Sequence, residues 1–196
     1  MTGPKRSSLS RRIGGRMDTN DVAGDDRVER LIAQHEIERQ IYQMGYYLED
    51  GNFEAVAELL ANATFGADII GRAAFRGREE IRQQYERTNV RYGDRGRATK
   101  EIYSNILVDI DLEIGRAKSM TSYTVAQQPP GDSFELIVAG RYEDEWQRLD
   151  TAWQWADRYI RVQYRNNLDR HMHADQHPWT GDGRDISPPA SASSSP

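Results

Sequence analysis

The 196-residue chain contains no cysteine, which excludes disulfides and thiolate-held metals. That absence suits a reducing compartment, and the expected location is the cytoplasm. No run approaches the roughly 18 apolar residues that suggest a membrane span. Arg11-Arg12 is not followed by an apolar stretch, so it does not read as a twin-arginine export signal. Phosphate-cradling glycine loops, dinucleotide fingerprints, nucleophile elbows and H-E-x-x-H motifs are also missing. Gly93-Asp94-Arg95-Gly96 is a plain loop. No cofactor is expected. Histidine is scarce, at four residues.

What is present is charge, unevenly spread. The net charge is −5, yet residues 1–16 carry five basic residues and no acid, leaving −10 on the remainder by difference. An acidic body repels phosphate, so nucleic acid is not an expected partner, and neither is a membrane. Residues 1–25 are rich in Gly, Ser, Arg and Asp and are expected to form a disordered basic tail. The chain closes on Ser-Pro-Pro-Ala-Ser-Ala-Ser-Ser-Ser-Pro, so 171–196 reads as an extension running into a second disordered tail. The folded body is expected over 26–170.

That body opens on a helical rhythm: Val28, Leu31, Ile32, Ile37, Ile41, Met44 and Leu48. Asp25-Asp26 can cap it, and Gly51 ends it. Asn52 caps a short second helix with Phe53, Val56, Ala57 and Leu60 on its apolar face. A strand is predicted near 65–70, a turn over 72–77, and a third helix over 78–88 with Ile81 and Tyr85 on one face. Alternation then takes over. Ile106, Val108, Ile110 and Leu112 share a face, and strands follow at 117–126, 134–148 and 153–165. Helices first and strands later predict an α+β domain, an antiparallel sheet with helices on one face.

Four segments resemble the SnoaL-like branch of the nuclear-transport-factor-2-like superfamily. They are Tyr47–Val56 between the first two helices, Phe75-Arg76-Gly77-Arg78-Glu79-Glu80-Ile81, Ser104-Asn105-Ile106, and Ala139–Asp144 with Trp153–Val162. They span about residues 27–165. The resemblance implies a curved antiparallel sheet wrapped by three helices around a cone-shaped pocket. It implies a small apolar or ring-containing ligand. The family includes dehydratases, isomerases and polyketide cyclases, with scytalone and bile-acid dehydratases among its branches. It also holds many proteins without known activity and shares its fold with small subunits of ring-hydroxylating dioxygenases.

The resemblance sets Glu49 where dehydratases of the superfamily carry an acid. Tyr42, Gly45 and Glu49 share a helix face. A carboxylate in an apolar cavity has a raised pKa and can transfer protons near neutrality. The usual partner is a His four residues before the position matched by Asn105, and here that residue is Glu101. Glu49 and Glu101 could share a proton, or Glu101 could face solvent. Arg161, in Tyr159-Ile160-Arg161, matches a functional Arg of the bile-acid branch and could stabilise an enolate, or could pair structurally across the sheet. Tyr46 could donate a proton, and Tyr42, Tyr103, Tyr123, Tyr142 and Asn105 could line the pocket, or these rings could simply pack. His171, His173 and His177 form H-x-H-x-x-x-H beside Trp179, too loosely scaffolded for a metal site to be expected. His171 could instead fold over the pocket mouth and supply the missing imidazole. His35 is read as structural. An enzyme, a non-catalytic binding or assembly module, and an auxiliary subunit all stay open. A homodimer is expected, because sheets of this type present an outer face that favours cover.

Overall fold

The computed structural model describes residues 24–68 and 70–173. Residues 1–23 and 174–196, which hold most of the two expected tails together with His177 and Trp179, lie outside the described residues, whereas Gly24 and Asp25, expected in the first tail, belong to the first helix. Helix α1 (Gly24–Asp50) buries Ala33, Ile37, Ile41, Met44 and Leu48, spaced three or four apart along one face. The expected stripe was longer. Val28, Leu31 and Ile32 are 56 %, 66 % and 62 % exposed, because the first turns of α1 carry them on the side away from the sheet. Gly51 takes φ +66°, and Asn52 accepts the Ala55 N–H at 3.1 Å, starting α2 (Phe53–Leu59) as the sequence predicts.

Strand β1 (Thr64–Ala67) is followed by a second short strand, β2 (Gly71–Arg76), where a turn was expected. The two pair as a hairpin, with Phe65 opposite Phe75. Helix α3 (Gly77–Thr88) buries Ile81, Tyr85 and Thr88. A short 3₁₀ turn at Gly93–Arg95 leads to four long strands: β3 (Thr99–Asp111), β4 (Arg116–Gln127), β5 (Glu135–Leu149) and β6 (Ala152–Arg165).

The strands form one curved, unclosed sheet in the order β2-β1-β6-β5-β4-β3. The sheet is mixed rather than antiparallel. β1 runs parallel to β6, and all of the chain between them serves as the crossover. The helices and the concave face enclose the core. Trp146 and Trp155 pack with their rings tilted by 32° and centroids 4.1 Å apart, in the same core as the buried stripe of α1. A smaller cluster of Tyr123, Val125, Ile137, Tyr142 and Leu168 meets the main core at Tyr103 and Ile160.

Among the register shifts of the sheet, two decide which side chains face inward near the cavity. Asn105 and Ile106 together oppose Thr121, between the Ser104–Ser122 and Leu107–Met120 pairs. Asn105 adopts φ +50° there. Glu101 and Tyr103 therefore face inward before the bulge, and Ile106, Val108 and Ile110 after it. On β6, Ala156 is left unpaired between Trp155 opposite Trp146 and Asp157 opposite Glu145. Trp153 and Trp155 face inward, and after the bulge Arg158, Ile160 and Val162 do.

Candidate functional site

A cavity of about 260 Å³ opens between the concave sheet, α1, α3 and the segment after β6. Leu48, Phe65, Phe75, Tyr85, Val125, Val138, Ile160, Val162, Leu168 and Met172 supply apolar walls, with Tyr123 and Tyr142 among them. Its buried polar lining includes Thr88, whose hydroxyl donates to the Gln84 carbonyl, and the three residues Arg97, Glu101 and His171.

Backbone geometry explains how they meet. Gly96 sits at φ +58°, where a Cβ would lie 2.2 Å from the Glu49 carbonyl oxygen. Only glycine lets the loop close on the end of α1. The Arg97 N–H then donates to that carbonyl at 3.0 Å, and the Arg97 side chain turns inward. Gln127, buried on β4, donates to the carbonyls of Arg97 and Arg170 at 3.2 and 3.1 Å, tying the loop to the chain end. His171 is held by its own N–H on Leu168 and its carbonyl under Val90 N–H, at 2.8 and 3.1 Å.

The Arg97 guanidinium bridges the other two. Nη1 donates to Glu101 Oε1 at 3.0 Å, and Nη2 meets His171 Nε2 at 2.7 Å. The Glu101 side chain is 2 % exposed. Burial raises its carboxyl above the ordinary range, against the pull of Arg97 and Arg158. Burial and then Arg97 hold His171 well below its ordinary value, so the imidazole is neutral. Glu101 Oε2 and His171 Nδ1 are buried with no partner among the described residues.

Glu49 belongs to the frame rather than to the cavity lining. Its Oε1 accepts the Glu101 N–H at 2.9 Å and its Oε2 accepts Lys100 Nζ at 2.8 Å. The two carboxylates do not share a hydrogen bond. Tyr42 and Tyr46 are exposed, and with Glu49, Lys100, Glu101 and Tyr103 they edge a separate recess of about 120 Å³ rather than the main cavity. Asn105 is exposed at the bulge. Arg161 was expected to stabilise an enolate or to pair structurally across the sheet. The Ala156 bulge places it on the outer side, where it pairs with Glu143 at 2.8 Å and Asp68 at 3.2 Å. Tyr123 and Tyr142 stack at 4.3 Å in the cavity wall, and Tyr103 meets Tyr142 edge-on at 5.6 Å. Burial raises all three phenols, so they remain protonated. His171 lines the cavity. Among the described residues no group of acids and histidines is arranged to hold a metal.

Sequence reasoning missed Arg97, Asp144 and Arg158. Asp144 is the polar residue between Tyr142 and Trp146 on the inward face of β5, a signal that alternation could have exposed. Its carboxyl is pushed up to about 6 by burial, with Arg158 at 3.6 Å opposing. Arg158 is fully buried and stacks on the Tyr142 ring at 3.9 Å, behind the cavity wall.

Residues 29–159 match the SnoaL-like domain family, and the chain belongs to it. Solved structures repeat the fold. An NTF2-like protein with a cystatin-like fold from Novosphingobium aromaticivorans superposes with a TM-score of 0.56 at 18 % identity, covering 76 % of this chain and 92 % of that one. A scytalone-dehydratase-like protein from the same organism gives 0.54 at 20 %, covering 68 % and 86 %. Hexachlorocyclohexane dehydrochlorinase LinA-type3 from Novosphingobium barchaimii gives 0.58 at 17 %, covering 73 % and 94 %. No curated protein matches by sequence.

Proposed function

We propose that this protein is a cofactor-independent lyase or isomerase that moves a proton on a small, largely apolar ring compound of polyketide, steroid or terpene type. The observation that carries the reading is Glu101, a buried carboxyl in an apolar cavity with one oxygen unpartnered. A carboxylate removed from water is a stronger base than one in solution. The two neighbours named for dehydration and dehydrochlorination lend support, since both names describe eliminations.

In the proposed reaction Glu101 takes a proton from carbon adjacent to a carbonyl, and the electron pair moves onto the carbonyl oxygen as an enolate. For elimination, the enolate expels a β-hydroxyl, which leaves as water with the proton returned by Glu101. For isomerisation, the same proton returns at another carbon. One carboxyl serves both steps.

Because proton removal precedes either outcome, the test does not require the natural substrate. The protein is incubated in D₂O with a panel of uncharged cyclic ketones, and deuterium uptake is read by mass spectrometry. The wild type is expected to accelerate exchange of at least one ketone. Glu101→Gln, folded by circular dichroism, is expected to lose about 100-fold or more. Exchange undiminished in that variant contradicts the role of Glu101. Ketones that raise the melting temperature without exchanging would favour the alternative, a ligand-binding module of the same fold.

A further inference from the structure

We infer that His171 serves this cavity as a neutral hydrogen-bond donor whose proton is fixed on Nδ1 by Arg97, and that the site is therefore matched to an uncharged substrate bearing a carbonyl oxygen. The consequence for catalysis rests on the acid–base reading above, but the tautomer is a property of the ligand-free protein.

The argument begins with what a guanidinium can do. Arg carries donors only and stays charged. Its Nη2 lies 2.7 Å from His171 Nε2, a full hydrogen bond that requires Nε2 to present its lone pair. A neutral imidazole has one proton, so it sits on Nδ1. An imidazolium would put a second N–H against Arg97 and a second positive charge beside it. The other end of the guanidinium is on Glu101, at 3.0 Å, which keeps Arg97 charged and in place. The backbone of His171 is held on both sides by Leu168 and Val90.

Nδ1 is buried and without a partner among the described residues, and His171 lines the cavity. A buried N–H with no acceptor carries a free-energy cost that an entering acceptor relieves. Glu101, whose Oε2 is also buried and without a partner among the described residues, lines the same cavity. The pair thus presents a base for an acidic C–H and a donor for the oxygen on which charge develops. Donation strengthens as the carbonyl becomes an enolate, without the ring giving up its proton. The buried charges of Arg97 and Glu101 cancel. Arg87, which also lines the opening, is exposed and bonded to Gln84. Nothing buried in the lining calls for a charged substrate. Arg97 acts through His171 and Glu101 and is a positioning residue.

The test uses the full chain labelled with ¹⁵N-histidine, at neutral pH, with the His171 signals assigned by their loss in His171→Phe. The expected pattern is a pyrrole-type shift at Nδ1 and a pyridine-type shift at Nε2. The reverse pattern, or an imidazolium, overturns the inference. Arg97→Met is expected to collapse the pattern toward a mixture of tautomers, and an unchanged pattern there removes Arg97 from the role. In a second measurement, a cyclic ketone labelled with ¹³C at the carbonyl is bound to the wild type and to His171→Phe. A downfield carbonyl shift seen only with the wild type is expected. Equal shifts, or no ketone bound by the wild type, overturn the donor role. Should the tautomer and the carbonyl shift hold while deuterium exchange is absent, the acid–base reading fails and this inference stands. Should exchange be present with the proton on Nε2, this inference fails and Glu101 keeps its role.

Discussion

Glu49 and Glu101 are joined by one hydrogen bond and differ in everything around them. Glu49 has both oxygens occupied, by the Glu101 N–H and by Lys100. Glu101 has one oxygen on Arg97 and one unused, in an apolar enclosure. Their substitutions should therefore separate. Glu101→Gln is expected to remove proton exchange. Glu49→Gln should keep it within a few-fold while costing about 1 kcal/mol of stability, read by urea unfolding. The buried groups also set opposite pH trends. His171 is held well below its ordinary 6.5, so below about that pH the unfolded chain binds the proton and the native state does not. Stability is lost as pH falls, and His171→Phe should lose this component. Burial pushes Asp144 up to about 6 from its ordinary 3.8, so between those values the native state binds more protons. This component falls as pH rises through that window, and Asp144→Asn should remove it. Melting temperatures of both variants between pH 4 and 7 check the two signs. A slope of the wrong sign in either variant contradicts the assigned cause.

Single residues matter to the elements through two bulges and one turn. Alternation makes β3 and β6 legible as strands, but it assumes an unbroken period of two. Asn105 and Ala156 each insert a residue, and the face exposed to the core changes parity after them. That is why Arg158 is buried while Arg161, three residues further on, lies on the outer side. No local sequence signal marks Ala156. Asn105 was legible in principle, since Asn tolerates positive φ better than most residues. Asn105→Val should destabilise by about 1–2 kcal/mol, with Asn105→Gly tolerated, as measured by urea unfolding. Gly96→Ala places a Cβ against the backbone of Glu49 and should cost more than Asn105→Val. β2 was missed for a different reason. Its six residues hold little apolar content beyond Phe75 and gain strand structure only by pairing with β1.

At the scale of the molecule, the order of helices and strands was readable because burial imposes period, and the three helices and four long strands lie close to where the pattern puts them. The site was less readable. Glu101 emerged from the resemblance as a departure, and His171 as a substitute for an imagined absence. Arg97, which joins them, lay just past a loop without periodicity. Contacts between residues 97 and 171 are made by the fold, not by local sequence. The parallel pairing of β1 with β6 is likewise a property of the closed arrangement. No described helix is long and apolar enough to cross a membrane. The outer sheet face exposes Ile102, Leu107 and Tyr164, and we propose that a second copy covers it. Sedimentation at micromolar concentration should give twice the monomer mass, with Leu107→Lys shifting it toward monomer. A wild-type monomer contradicts this.

Deuterium exchange into uncharged cyclic ketones, compared between wild type, Glu101→Gln and Glu49→Gln, tests the central claim most directly. The account predicts catalysed exchange by the wild type and by Glu49→Gln, lost about 100-fold or more in Glu101→Gln. Exchange that survives in Glu101→Gln but vanishes in Glu49→Gln would contradict it and return the chemistry to the end of α1.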